Sequence, residues 1–482
     1  MNRRRFLAAA AGAPFARAAA SRLNVLFITV DDLRPQLGCY GDPVVKTPHI
    51  DRLAAGGTVF ERAYCQMAVC SPSRTSFLTG RRPDSTRVLD FTTHFRSTIP
   101  DVVTLPQLFK QNSYQSHGVY KVFHLAGTAP RIGNMNDPES WSDELELPEK
   151  SVYGPRGQAL LEQDLEAYKR DRAAGIIRPV RSLAIESPDV EDADLSDGEA
   201  ALRAVDWLRR NGSRPFFLGV GFYKPHLPFV APRKYWDLYR ESDLRLPDNR
   251  YPPKGAPPYA VVDLGELHNF VDIPKTEPLP EELCRKLLHG YLASISYVDT
   301  QVGLLLDELD RQRLRDRTIV VLLGDNGYQL GEHGIWARKH TNFETSARVP
   351  LIVSAPGRKG SGHKSAAIVE LLDVYPTLAE MCGLAAPGGL EGVSFMPVLD
   401  DPALPGKPGA YTQHPRGRRM GRSVVSRRYR YTEWAEAGKP PEAVELYDHE
   451  TDPGENLNLA AFSPPADVMR RMPELLRSGG KP

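Results

Sequence analysis

The chain has 482 residues, 41% of them hydrophobic and 25% charged, which is too apolar for a disordered polymer and long enough for one large domain plus a smaller one. Lys and Arg number 61 against 60 Asp and Glu, a formal net charge of +1. That balance excludes a general electrostatic attraction to nucleic acid or to a membrane surface, so any affinity for anions must come from local clusters.

Residues 1–20 read as a targeting segment, with Arg3-Arg4-Arg5, then Phe6-Leu7, an alanine-rich run and small residues up to Ala20. The frame Arg-Arg-x-Phe-Leu resembles a bacterial twin-arginine signal, which implies the twin-arginine export machinery as a partner and a periplasmic or extracellular destination. Removing the segment takes away four arginines and no acid, turning +1 into −3. No later apolar run is long enough to span a bilayer, so no transmembrane segment is expected in the mature chain. The five cysteines, Cys39, Cys65, Cys70, Cys284 and Cys382, match no zinc spacing and are odd in number.

The run from Leu23 to Val30 is short, β-branched and without alternation, as expected of a strand buried on both faces of a parallel sheet. It ends in Asp31-Asp32. A helix is expected at Thr47–Ala55, and another from Cys70, with Cys70 and Ser71 at its capped start, Pro72 in the first turn and Gly80 as its stop. Free N–H groups at that start, with Arg74 one turn along, favour an anionic substrate. Further helices are expected at Thr104–Gln111, Ser196–Arg210, Pro280–Arg311 and Leu372–Cys382. Buried strands are expected at Pro215–Phe222, which runs into Lys224-Pro225-His226, and at Thr318–Leu323, which runs into Asp325-Asn326. Ligands in open α/β sheets gather beyond the carboxyl ends of strands. Asp31, Asp32, Asp325 and Asn326 therefore form an all-oxygen ligand set for Ca²⁺ or Mg²⁺, with calcium the better fit to several converging protein oxygens. Pro148–Pro179 and Pro247–Pro280 break the α/β rhythm and read as surface insertions. Beyond Gly392, Ser423–Ser426, Arg430–Trp434 and Val444–Tyr447 read as short strands of a small antiparallel sheet.

The string Cys70-Ser71-Pro72-Ser73-Arg74 resembles the Cys-x-Pro-Ser-Arg signature of the sulfatase family. The resemblance implies that Cys70 is oxidised to formylglycine by a formylglycine-generating enzyme, and that its hydrate supplies the nucleophilic oxygen beside the metal. Hardness points the same way, since a thiolate is a soft neighbour for an oxygen-bound calcium and the hydrate presents oxygen. Lys121-Val122-Phe123-His124 is similar to the family's Gly-Lys-x-x-His element, with Tyr120 where glycine is usual. Lys224-Pro225-His226 and the loop Gly331–Glu344 are similar to further family elements, and the latter implies Lys339 as the lysine that reaches the sulfate, with Arg338 a competing cation. The resemblance extends to Leu459, and the strings DDLRPQLGCYGD and FLTGRRPDSTR are similar to the iduronate-2-sulfatase branch, although Asn326 stands where that branch carries His.

The expected fold is α/β, a large mostly parallel sheet sandwiched by helices with a smaller C-terminal antiparallel-sheet subdomain, divided as signal 1–20, catalytic domain 21–392 and subdomain 393–482. The function implied is hydrolysis of a sulfate monoester, of 2-O type on a glycan or glycosaminoglycan fragment, with a sulfated carbohydrate as substrate. Catalysis falls to Cys70, Arg74, Lys121, His124, His226 and Lys339, with Lys121, His226 and Lys339 also binding substrate. His226 is expected to protonate the leaving alcohol and His124 to release sulfate from the hydrate. The metal ligands are Asp31, Asp32, Cys70, Asp325 and Asn326, around one Ca²⁺. Two alternatives stay open: a phosphate or phosphonate monoester hydrolase on the same fold, and a glycan-binding relative without catalysis.

Overall fold

Seven strands build the main sheet: β1 Asn24–Val30, β2 Thr58–Tyr64, β3 Gln115–Tyr120, β4 Phe216–Phe222, β5 Thr318–Gly324, β6 Arg348–Ser354 and β7 His363–Glu370. The structure, a computed structural model, describes residues 22–125, 135–176, 178, 181–261 and 265–479, so the predicted targeting segment lies outside the described residues. The strand order is β7-β2-β6-β5-β1-β4-β3. All neighbours run parallel except β6, which is antiparallel to both β2 and β5. The reason lies in residues 325–347, which return to the sheet without a long crossover helix and so re-enter at the edge they left.

Every residue of β1, β4 and β5 is buried, which is why these runs show no polar alternation. Successive side chains feed two different cores. Leu26, Ile28, Val30, Val320 and Leu322 pack on one face with Tyr291, Val302 and Leu305 of α6. Val25, Phe27, Ile319, Val321 and Leu323 pack on the other with Phe77, Phe109 and Leu378. The helices of seven residues or more are α1 Pro48–Ala55, α2 Cys70–Thr79, α3 Leu105–Gln111, α4 Pro155–Ala173, α5 Ser196–Asn211, α6 Glu281–Arg311, α7 Val374–Met381 and α8 Ala466–Ser478. Thr104 caps α3 in a reciprocal capping box with Gln107. The helix expected over Leu372–Cys382 is a 3₁₀ turn, Leu371–Asp373, followed by α7. The insertion at Pro148–Pro179 contains α4, 19 residues of which only Gly157 is buried, so it lacks the apolar stripe by which a helix is read from sequence.

The C-terminal sheet is antiparallel as expected, with one strand more: β8 Ala410–Arg416, β9 Arg419–Val425, β10 Tyr429–Glu436 and β11 Ala443–Asp448, in that order. Tyr411, Val424, Tyr431 and Leu446 pack there against Val468 and Met472 of α8. Buried ion pairs fasten this sheet to the rest. Glu370 at the end of β7 takes both guanidinium nitrogens of Arg82 at 2.7 Å, Lys407 at 2.7 Å and the N–H of Tyr411 at 3.0 Å. Arg430 of β10 holds Glu344 at 2.5 Å and Glu455 at 2.7 Å.

Candidate active site

Register decides where the functional side chains emerge. Val30 pairs with Phe222 on one side and Gly324 on the other, so Asp31, Tyr223 and Asp325 leave the sheet at one level of its carboxyl edge. Asp32 turns away with φ +56°, a left-handed conformation that Asp tolerates better than most residues, and its carbonyl accepts a hydrogen bond from Tyr291 Oη at 2.7 Å. Lys121 reaches the same edge because the chain leaving β3 lies directly on β4: a Cβ on Gly221 would sit 2.0 Å from the Lys121 carbonyl, so glycine alone fits there.

The helix start at Cys70 is organised differently from the sequence expectation. Val69, extended at φ −151°, is the N-cap, and Cys70 and Ser71 are the first two helical residues. The turn closes through Ser73 N–H to Val69 O at 3.0 Å. Gly80 ends the helix at φ +65° as expected, and all ten residues of α2 are buried. Cys70 Sγ lies 2.9 Å from Lys339 Nζ and 4.0 Å from Asp32 Oδ1.

Three buried carboxylates face three buried cations. Asp31 pairs with Lys121 and lies 3.6 Å from Arg74; Asp32 pairs with Lys339; Asp325 accepts Arg74 Nε at 2.8 Å. With all six groups ionised the charges cancel, yet three buried oxygens in this cluster, Asp31 Oδ1, Asp32 Oδ2 and Asn326 Oδ1, have no hydrogen-bond donor. Leaving such atoms unsatisfied is costly, and a hard cation satisfies them. Ligand atoms of Asp31, Asp32, Cys70 and Asp325 lie within 4.8 Å of one another, and the Asn326 amide is turned by donating Nδ2 to Asp32 at 2.7 Å and Gly327 O at 2.8 Å. The residues therefore fit a divalent ion. Burial, and then repulsion from Asp31, raises Asp325 to about 7, and burial raises Asp32 to about 6. Burial would raise Asp31 as well, but the cations beside it, Lys121 first and then Lys339 and Arg74, hold it well below the usual carboxylate range. Burial and the same acids push the Cys70 thiol well above its ordinary value, so the unmodified sulfur is no thiolate nucleophile.

His226 donates through Nδ1–H to Leu227 O at 2.7 Å, the carbonyl being able only to accept. Its Nε2 then faces Asp32 Oδ2 and Glu266 Oε2, each at 3.7 Å. His124 is buried with Nδ1 unpartnered and its ring 5.2 Å from that of Phe91. Burial, followed by Lys339 for His226 and Lys121 for His124, holds both imidazoles well below their ordinary value, so both are neutral before substrate arrives. Lys224 is elsewhere: its Nζ donates to Pro228 O at 2.5 Å. The Lys339 loop departs from regular backbone, with positive φ at Gly331, His333, Gly334, Ala337 and His340, as segments that aim functional groups often do. Tyr120 takes φ +59° where the resembling element has glycine.

The ten residues singled out from sequence thus meet at one sheet edge. Glu266 was not among them. It sits in the 3₁₀ turn Glu266–Asn269 inside the insertion at Pro247–Pro280, and an acid in a loop carries no sequence signal of its own. Tyr223, whose ring lies 4.2 Å beneath Lys121 Nζ, was legible only as the residue after a strand end.

Residues 23–384 match the family model Sulfatase, and residues 331–479 match a model described as N-sulphoglucosamine sulphohydrolase, C-terminal. The chain is 34% identical over 532 residues to the iduronate 2-sulfatase of Homo sapiens, covering 93% of each chain. Among solved structures it resembles a protein in complex with its substrate D-glucosamine-2-N,6-O-disulfate, with a TM-score of 0.72 at 20% identity, covering 95% of this chain and 97% of that one. It resembles equally in fold the phosphonate monoester hydrolase of Agrobacterium radiobacter, with a TM-score of 0.74 at 23% identity and 95% of each chain covered.

Proposed function

The chain belongs to the sulfatase family and is a sulfuric ester hydrolase; we propose that it removes a 2-O-type sulfate from a glycan or glycosaminoglycan fragment, with a formylglycine made from Cys70 as nucleophile and one Ca²⁺ as cofactor. The observation that carries this reading is the place of Cys70, a buried soft sulfur set among hard oxygen ligands whose free lone pairs converge beside it. Conversion to formylglycine would supply a nucleophilic oxygen there. A divalent ion held by Asp31, Asp32, Asp325 and Asn326 would supply charge neutralisation for the sulfuryl oxygens.

The chain's own residues then divide the work. Lys121 and Lys339, paired with Asp31 and Asp32 in this structure, are the chain's cations beside Cys70 and would bind and orient the sulfuryl oxygens, the charge of a bound divalent ion serving Asp31 and Asp32 in their stead. Arg74 keeps Asp325 and Asp31 aimed at the site and does not leave them. His226 gives the Nε2 proton to the departing sugar oxygen, its Nδ1–H fixed on Leu227 O. It holds that proton once an anionic ester offsets Lys339 and Lys121. His124 accepts the proton whose removal releases sulfate.

The 34% identity to human iduronate 2-sulfatase over nearly the whole chain supports the sugar and the 2-O position. The shared fold with a phosphonate monoester hydrolase keeps that activity as the second reading. A phosphonate monoester carries one negative charge, as a sulfate monoester does, whereas a phosphate monoester approaches −2 and calls for a second metal. The other acid and histidine group among the described residues, Glu344, His449 and Glu455, already encloses Arg430. Export rests on the twin-arginine-like start. None of the described helices is long and apolar enough to cross a membrane.

The test is the chemical state of Cys70 in protein made together with a formylglycine-generating enzyme. The tryptic peptide Ala63–Arg74 should carry an aldehyde at Cys70, while Cys65 in the same peptide stays a thiol and serves as internal control. Active enzyme with Cys70 fully alkylatable would end the formylglycine reading.

A further inference from the structure

The groups around His226 Nε2 bound the space in which a departing oxygen can lie. The ring is fixed from behind, with Nδ1–H on Leu227 O and its face on Tyr223 at 5.0 Å between centroids. Two carboxylate oxygens stand 3.7 Å from Nε2, Asp32 Oδ2 and Glu266 Oε2. They differ in what they are free to do. Asp32 is buried, its other oxygen accepts from Lys339 and Asn326, and it faces the candidate metal position. The Glu266 side chain is 48% exposed, and among the described residues no donor hydrogen-bonds to its carboxylate.

Glu266 is nonetheless held in place. It opens the 3₁₀ turn Glu266–Asn269, and the residues after it are tied down: Leu267, Phe270 and Ile273 are buried in the main core, Val271 N–H donates to Ser182 O at 3.0 Å, and His268 Nδ1–H donates to Pro274 O at 2.9 Å. On its other side Gly265 lies against Arg338, where any Cβ would collide with Nη1. A carboxylate on a fixed turn, open to solvent on one side and facing the proton donor on the other, is placed to touch substrate.

Geometry selects the part of the substrate it meets. An alcohol oxygen taking the Nε2 proton lies about 2.6–3.2 Å from that nitrogen, and on a sugar ring the oxygen of the next carbon sits a further hydrogen-bond length away. With Glu266 Oε2 only 3.7 Å from Nε2, proton donor, ester oxygen, neighbouring oxygen and carboxylate close into one ring of contacts. Charge selects the group. The Glu266 carboxylate repels an anion, and Lys339, Lys121 and Arg338, the cations whose field reaches it, oppose a second cation, which leaves a neutral donor.

We propose that Glu266 is a specificity-determining residue, which accepts a hydrogen bond from the free hydroxyl on the carbon next to the one that bears the sulfate. The proposal rests on the sugar-sulfate reading above and deepens it, since the substrate must carry that hydroxyl unesterified.

The experiment compares kcat/KM of the full-length, Cys70-modified enzyme on a pyranose 2-sulfate whose neighbouring hydroxyl is free, on the analogue with hydrogen in place of that hydroxyl, and on an aryl sulfate. A hydrogen bond to a charged acceptor predicts a preference of roughly tenfold to a hundredfold for the hydroxylated sugar over the deoxy one. Glu266→Ala should bring that ratio toward one, and Glu266→Gln, which keeps an acceptor oxygen without the charge, should fall between. Any effect that Glu266 exerts through His226 falls on both sugars alike and cancels in the ratio. A ratio near one in the unmutated enzyme overturns the proposal while leaving sugar-sulfate hydrolysis intact. An equal loss on both sugars in Glu266→Ala also overturns it and assigns the residue to proton transfer instead. Turnover of the aryl sulfate with neither sugar overturns the sugar reading as well.

Discussion

Asp325→Asn is the substitution that best separates the metal role of the paired acids from their role in packing. The change keeps the volume, and its amide oxygen can still accept Asp32 N–H, now held by Asp325 Oδ1 at 3.0 Å. What it removes is a charge. Arg74, itself buried, then keeps Asp31 at 3.6 Å as its acid, with Thr29 Oγ1 at 3.1 Å and Val122 O at 3.0 Å. Breaking a buried ion pair from one side costs about 3–5 kcal/mol, because the other charge stays uncompensated. The three-against-three balance of the cluster also becomes one positive, which opposes a dication. In the unmutated protein, calcium at a hundred times its dissociation constant should add about 2.7 kcal/mol of stability; in Asp325→Asn that increment should vanish, and metal content by elemental mass spectrometry should fall below a tenth of an equivalent. Arg74→Met is the control. It breaks the same pair from the cationic side and leaves the cluster one negative, so it should lose comparable stability and keep its metal. Unchanged metal content in Asp325→Asn would refute the ligand assignment. Equal metal loss in Arg74→Met would show that Asp325 acts only through Arg74.

The two histidines should separate by leaving group: His226→Ala should cost roughly 10²–10⁴-fold on a sugar sulfate and far less on an activated aryl sulfate, whereas His124→Ala should slow both alike, and equal losses for His226→Ala would send the search for the acid elsewhere. Burial alone would raise Glu370, but Arg82 and Lys407 hold it down to about 2 from 4.5. A depressed carboxyl stabilises fully above its unfolded value, so about 3 kcal/mol should be lost as pH falls from about 4.5 through 2, and Glu370→Gln, less stable at neutral pH, should lack that component in a melting-temperature series against pH. Tyr120→Gly relieves a left-handed residue, about 1–2 kcal/mol, but deletes a buried aromatic whose loss costs about 3–5 kcal/mol; urea unfolding should show a net fall, and a gain would mean that the strain dominates.

Local pattern alone determined a good deal of this protein. The apolar runs ending in Asp31-Asp32 and Asp325-Asn326 announced buried parallel strands with acids at one edge, because burial on both faces removes alternation and leaves a signal within each run. The string from Cys70 to Arg74 carried the family resemblance, since its residues are contiguous, and it was that resemblance rather than local pattern that singled out Lys339 beside the competing Arg338. Tertiary structure decided what depends on contacts between distant segments. That Val69 rather than Cys70 caps α2 follows from backbone angles set by packing. Strand β8, with Pro415 and little apolar character, exists because β9 pairs with it, and α4, solvated on nearly every side, has no stripe to read. Glu266 reaches His226, and His414 reaches His340, only because an insertion and a separate sheet fold back onto the carboxyl edge. Side-chain proximity across such separations is fixed by the whole packed core, and no window of sequence contains it.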